Sequence, residues 1–174
     1  MRVRQTMIGL ILVGSLLGLP GTISANDEIA TVTGGGWFLF GGSIPMQFGF
    51  SAIRHADGSV SGAFHHSYTA DGLSYSYWGR LTCLSYDAAD GRAWIGGVLT
   101  KVITNDPDVT TAPGDDAWFR VLDAGSAGDR STAMGFVGAI PSSAAYCAMR
   151  PWPDDNARTH PVTSGQITLQ APTH

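Results

Sequence analysis

The 174-residue chain carries 10 lysines and arginines against 14 acidic side chains, a net charge of −4, and only 14% of its residues are charged. An acidic chain with a single lysine, Lys101, offers no cationic footprint for nucleic acid or for anionic lipid. Sparse charge, 23 glycines and many aromatic, Thr, Ser and Val residues point to an all-β exported domain and away from a helical one.

Residues 1–25 have the layout of a secretory signal peptide. Arg2 and Arg4 make a basic start, and Met7 to Leu19 is an apolar run. Pro20 and Gly21 break it, and Ile23-Ser24-Ala25 offers a cleavage site before Asn26. The run is short for a bilayer span, which favours cleavage over the alternative, an uncleaved anchor. Cleavage leaves 149 residues (174 minus 25), expected as one secreted domain at 26–174, extracellular or periplasmic. Its charge is then 8 minus 14, or −6. No later segment is long and apolar enough for membrane insertion after cleavage.

Thr31 to Phe40 reads TVTGGGWFLF. The helix and Lys-Ser/Thr pair of a phosphate loop are absent, so Gly34 to Gly36 mark a bend or a close backbone approach before Trp37 to Phe40 enters a sheet. Phe48 to Ile103 reads as four meander strands joined by Asp57-Gly58, Asp71-Gly72 and Asp90-Gly91. Asp-Gly between apolar-aromatic runs is a strong hairpin signal, because glycine reaches positive φ without a Cβ clash.

Alternation with period two assigns faces. Val60, Gly62, Phe64 and His66 share one face of the second meander strand. Leu73, Tyr75, Tyr77, Gly79, Leu81 and Cys83 share the apolar face of the third, which points Cys83 into the core; Trp78 and Arg80 lie on the polar face. The fourth, Ala93 to Ile103, is apolar on both sides and is expected to be covered on both. Gly96-Gly97 in its middle predicts a bulge or bend of the kind that curls a sheet.

Thr104 to Asp116 is a loop, and Ala117 to Asp123 a fifth meander strand. A turn at 124–130 leads to an apolar strand at 131–140, broken by Gly135 and Gly138. Pro141 to His160 reads as irregular, with one helical turn within Ser142 to Met149; Gly165 to Gln170 closes as a last strand. About eight turn-separated strands predict a small antiparallel β-barrel or sandwich. Cys83 and Cys147, in an exported chain, are expected to pair, the alternative being two buried free thiols.

Together TGGGW, FGF with its Asp-Gly turn, DGL, GRAWIGG, WFRVLDAG and a closing SGQITL resemble a family of small secreted β-rich bacterial domains. These domains are found alone or appended to larger cell-surface proteins. The resemblance spans Val32 to Leu169 and implies fold and location, with no catalytic residues to carry over. This chain departs from the family's DNGEPG turn at Asp123-Ala124-Gly125-Ser126, and Cys147 to His160 looks like a local addition.

The candidate chemistry is limited. His65 and His66 point to opposite faces and do not chelate one metal. His66 is either a core histidine or a general base in a barrel mouth, with Tyr75 or Tyr77 as hydroxyl partner. Asp106, Asp108, Asp115 and Asp116 bracket one loop; they are either a solvated acidic loop or a Ca²⁺ site, without the EF-hand pattern. There is no G-x-S-x-G elbow, and Glu28 is the only glutamate. Trp78 and Trp152 are the tryptophans expected to be exposed, as contacts for a cell-surface glycan or protein partner. The leading expectation is a non-enzymatic structural or binding module of the bacterial cell envelope. An enzyme or small-ligand carrier around His66 and a Ca²⁺-stabilised module are the alternatives.

Overall fold

A computed structural model describes residues 28–136, 138–153, 156 and 158–171. The expected signal peptide and its cleavage site lie outside them. The chain is all-β. Five long strands form a meander: β1 Glu28–Phe40, β2 Ile44–His55, β3 Val60–Ala70, β4 Leu73–Asp87 and β5 Arg92–Thr104. They are followed by β6 Asp116–Leu122, two-residue strands β7 Arg130–Ser131 and β8 Gly135–Phe136, helix α1 Ser143–Met149, and β9 His160–Gln170. The sheet order is β5-β4-β3-β2-β1-β9-β7-β6-β8, and β5 also pairs with β6, so the ladder returns to its start as a closed barrel.

The three Asp-Gly pairs sit at the predicted hairpins. At Asp71-Gly72 both residues have positive φ, 51° and 79°, the geometry whose twist matches the flanking strands. The glycines of β1 lie inside a strand and permit a close approach. Gly36 (φ 147°) faces Gly165 (φ 116°) of β9, where a Cβ on either would fall 2.0 Å from a backbone oxygen of the other strand.

Inward side chains make one core: Val32, Phe38, Phe48, Phe50, Phe64, Tyr77, Leu81, Leu84, Ile95, Leu99, Phe119, Val121 and Ile167 are all buried. Gly79 leaves the space that the Phe64 ring fills on the neighbouring strand, 2.0 Å from where a Cβ would stand. The apolar residues point in and the polar ones out, the reverse of barrels that span a bilayer. No helix among the described residues is long and apolar enough to cross a membrane.

Cys83 corrects the face assignment. A bulge between Leu81 and Cys83 opposite Gly97 and Gly96 resets the alternation, so Leu81 and Leu84 point inward and Cys83 points out. Its sulfur meets that of Cys147 at 2.03 Å and ties α1 to the outer wall. Gly96 makes the docking possible, since a Cβ there would lie 2.8 Å from Ser143 and 2.9 Å from the Cys83 sulfur. β5 is thus covered on both faces over 93–97, whereas the coverage expected as far as Ile103 does not hold: Thr100 and Lys101 are exposed and Ile103 is 50% exposed where α1 no longer reaches.

Two other expectations shift. The strand predicted over 131–140 is only β7 and β8 with an interruption between; Thr132 still exchanges hydrogen bonds with Arg120 there. β9 begins at His160 rather than Gly165, because Pro161 is accommodated in the short pairing with Arg130.

Beyond that pairing, no strand among the described residues lies beside β9 on this flank. Instead the Ile167 amide donates to Asp129 Oδ2 at 2.7 Å and the Leu169 amide to Asp123 Oδ2 at 2.8 Å. Asp129 Oδ1 also accepts the Ala124 amide at 3.1 Å, which holds the 124–129 turn against the seam. Two carboxylates therefore do the work of a missing strand, and charge-assisted bonds of this kind are stronger than neutral ones. Asp129→Asn keeps one acceptor and loses the other, leaving an amide unsatisfied. It is expected to lower unfolding free energy by about 2 kcal/mol, measured by urea denaturation. A change under about 0.5 kcal/mol, the size of an ordinary surface substitution, would deny Asp129 this role.

Candidate functional site

One mouth of the barrel is framed by the β1–β2 and β3–β4 hairpins and by the 105–115 loop. Here β3 carries His66 and Tyr68 on its inner face, and β4 carries Tyr75 and Tyr77. His66 is 1% exposed and lies opposite Phe48 on one side and Tyr77 on the other. Its ring packs 4.9 Å from the centre of Phe119. Neither imidazole nitrogen has a hydrogen-bond partner. Burial penalises the charged form, and the neighbouring His65 adds to this, so the His66 pKa falls to about 3.

The tyrosines are engaged elsewhere. The Tyr75 hydroxyl donates to Asp106 Oδ2 at 2.6 Å, a bond that pushes its pKa up to about 12 and lowers that of Asp106. Tyr68 stacks on Tyr75 with centres 4.5 Å apart, and the Tyr77 ring packs 5.1 Å from that of Phe136. Burial raises the pKa of both Tyr68 and Tyr77. The structure thus brings His66, Tyr75 and Tyr77 to one mouth without joining them by hydrogen bonds. A general base needs a polar partner within reach, and His66 has none. At this mouth a cavity of about 150 Å³ is left between His66, Tyr68, Tyr77, Met46, Met134 and Phe136.

The four loop aspartates do not converge. Asp106 takes the Tyr75 hydroxyl and the Asp108 amide, and Asp115 takes the Ala112 amide. Asp116 Oδ1 takes the Ser143 amide at 2.9 Å and the Ser143 hydroxyl, anchoring the start of α1. Asp106, Asp115 and Asp116 are thus each turned to separate donors. Among the described residues no group of three or more His, Cys, Asp or Glu side chains is placed to hold a metal ion.

The two candidate tryptophans are also far apart in the fold. Trp78 lies on the outer wall between His65 of β3, stacked at 4.6 Å, and Lys101 of β5, 4.9 Å from its ring. Trp152 stands in the segment after α1, with the Arg92 and Arg120 guanidiniums 5.1 and 5.3 Å from its ring. Its indole NH donates to Asn156 at 2.9 Å. Trp94, Trp118 and Tyr146 form a second, smaller cluster beneath it.

Between this cluster and the β1–β2 hairpin runs a groove of about 1100 Å³. Trp118, Tyr146 and Trp152 wall it, Arg120 and Arg158 bring positive charge, and Phe40 and His160 close its far side. Trp118 and Tyr146 are stacked at 5.7 Å, and burial pushes the Tyr146 pKa up to about 12. Sequence reasoning singled out only Trp152 here. The available signal was Arg120, a charged residue at an outward position of a strand apolar on both faces, which requires something to pack across it. The chain matches no protein-family model, and no curated protein and no solved structure shows significant similarity to it.

The unfolded imidazole protonates near 6.5, whereas folded His66 resists protonation to about 3. As pH falls, the unfolded state takes up the proton first. Stability that is fully present above 6.5 therefore drains away between 6.5 and about 3. The slope approaches about 1.4 kcal/mol per pH unit, or about 2 kcal/mol lost between about pH 6.5 and about pH 5, above the range of most carboxylates. Urea titrations are expected to show this loss, and His66→Leu to flatten it; an unchanged slope in the variant would place the loss elsewhere.

Proposed function

We propose that this protein is an exported, non-enzymatic binding module of the bacterial cell envelope, and that the groove beside Trp152 is where it holds a cell-surface glycan. The observation that carries the reading is the groove itself: three large aromatic rings and two arginines on the outer wall of an otherwise acidic chain. Aromatic rings take the apolar faces of sugars, and guanidiniums take carboxylate or phosphate groups in paired hydrogen bonds. Acidic polysaccharide suits both. Among the described residues no carboxylate lines the groove.

Export is supported by the N-terminal layout and by the Cys83–Cys147 pair, which persists in oxidising compartments. The resemblance to secreted β-rich bacterial domains points the same way. The segment after Cys147, which departs from that family's pattern, is the one that builds the groove. This makes the groove a property of this chain rather than of the barrel.

Trp152→Ala is expected to weaken retention on isolated acidic envelope polysaccharide by about tenfold, near 1.4 kcal/mol. Trp78→Ala, on a separate part of the wall, is expected to bind like the parent. Affinity electrophoresis measures both, with circular dichroism confirming that each variant is folded. A folded Trp152→Ala protein retained as strongly as the parent would remove the groove as the binding surface.

A further inference from the structure

Inside the barrel mouth lies a second site. A buried imidazole with both nitrogens unpartnered loses the hydrogen bonds it made in water, and native proteins leave few such groups without cause. His66 is not sealed in packed side chains; it forms part of the wall of the 150 Å³ cavity. A cavity of about that size in a protein interior takes up benzene when its walls are apolar. Here the walls are apolar and aromatic, with Met46, Met134 and Phe136 among them and the imidazole as the unsatisfied polar group.

We infer that this cavity binds a small neutral aromatic alcohol, a phenol, with its ring between the methionines and Phe136 and its hydroxyl on His66. Size sets one bound: a single six-membered ring fits and a fused pair does not. Charge sets another. Among the described residues no lysine, arginine or carboxylate lines the cavity, so neither an anion nor a cation finds a counter-charge there. Chemistry sets the third. A neutral imidazole presents one donor and one acceptor, and a hydroxyl is both, so it pairs with whichever nitrogen faces it. Tyr68 and Tyr77 contribute rings, packed on Tyr75 and Phe136 respectively.

The approach runs from the outer groove. Phe40, Ala133 and Met134 line both the groove and the cavity. Phe40 is 41% exposed at the hairpin tip, and Met134 lies in the stretch between β7 and β8, where the ladder is interrupted. Side-chain movement there opens a path without breaking a strand pairing. This site is independent of glycan binding in the groove.

The test is titration of the intact protein at neutral pH with phenol, toluene, benzoate and 2-naphthol. It is followed by NMR of the Met46 and Met134 methyl groups and of the His66 ring nitrogens. Phenol is expected to shift all of them saturably. Toluene, lacking the hydroxyl, is expected to bind about tenfold more weakly, the worth of one hydrogen bond. Benzoate and naphthol are expected not to bind. His66→Leu is expected to bind phenol and toluene alike, which an unfolded variant would not do. Met134→Trp, which fills the cavity and keeps His66, is expected to abolish the shifts. Methyl signals that phenol leaves unmoved up to its solubility, with water the only partner of the His66 ring, would overturn the inference. So would phenol and toluene binding equally to the parent protein.

Discussion

Everything inside this barrel depends on closing its last seam. Apart from the β7–β9 seam, the described strands meet in eight backbone ladders, but the final half of β9 faces a turn instead of a strand. Asp123 and Asp129 supply the acceptors that a strand would have supplied. An unpaired row of amides would otherwise have to stay in water, and the sheet would stay open. Closure in turn buries the aromatic inner faces, and it is that dry interior which holds His66 neutral.

Outside the ring, the disulfide and Asp116 fix α1 across β4 and β5, and the segment after α1 builds the groove over β6. The two proposed sites differ as their surroundings differ. The outer groove is broad, aromatic and cationic, and suits an extended acidic chain. The inner cavity is small, apolar and uncharged, and suits a compact neutral ring. They adjoin at Phe40 and Met134, at the end of the barrel opposite the carboxylate seam. One end is therefore built for closure and the other for access.

The meander was legible because its signals are local. Asp-Gly turns and period-two alternation depend only on neighbours in sequence, and they place β2 to β6 within a few residues. Cys83 failed because one extra residue at a bulge inverts every face beyond it, and a bulge is set by the partner strand. β7 and β8 were overextended because apolar composition continues where pairing does not. The 106–116 aspartates cluster in sequence, yet Asp106, Asp115 and Asp116 turn to separate donors, two of them, Tyr75 and Ser143, far away along the chain. The paired cysteines and the helical turn were visible; the groove was not, because its walls come from β1, β6, α1 and the following segment. His66 was visible as a residue, but its lack of partners is a property of the folded interior.

The most direct test of this account is amide hydrogen exchange along β9. By the alternation of the antiparallel ladder, Gln166 and Thr168 direct their amides to β1, whereas Ile167 and Leu169 direct theirs to the carboxylates. A barrel closed through Asp123 and Asp129 predicts that the Ile167 and Leu169 amides are protected to the same degree as those of Gln166 and Thr168. Protection of Gln166 and Thr168 alone, with Ile167 and Leu169 exchanging at the rate of an open edge, would contradict closure.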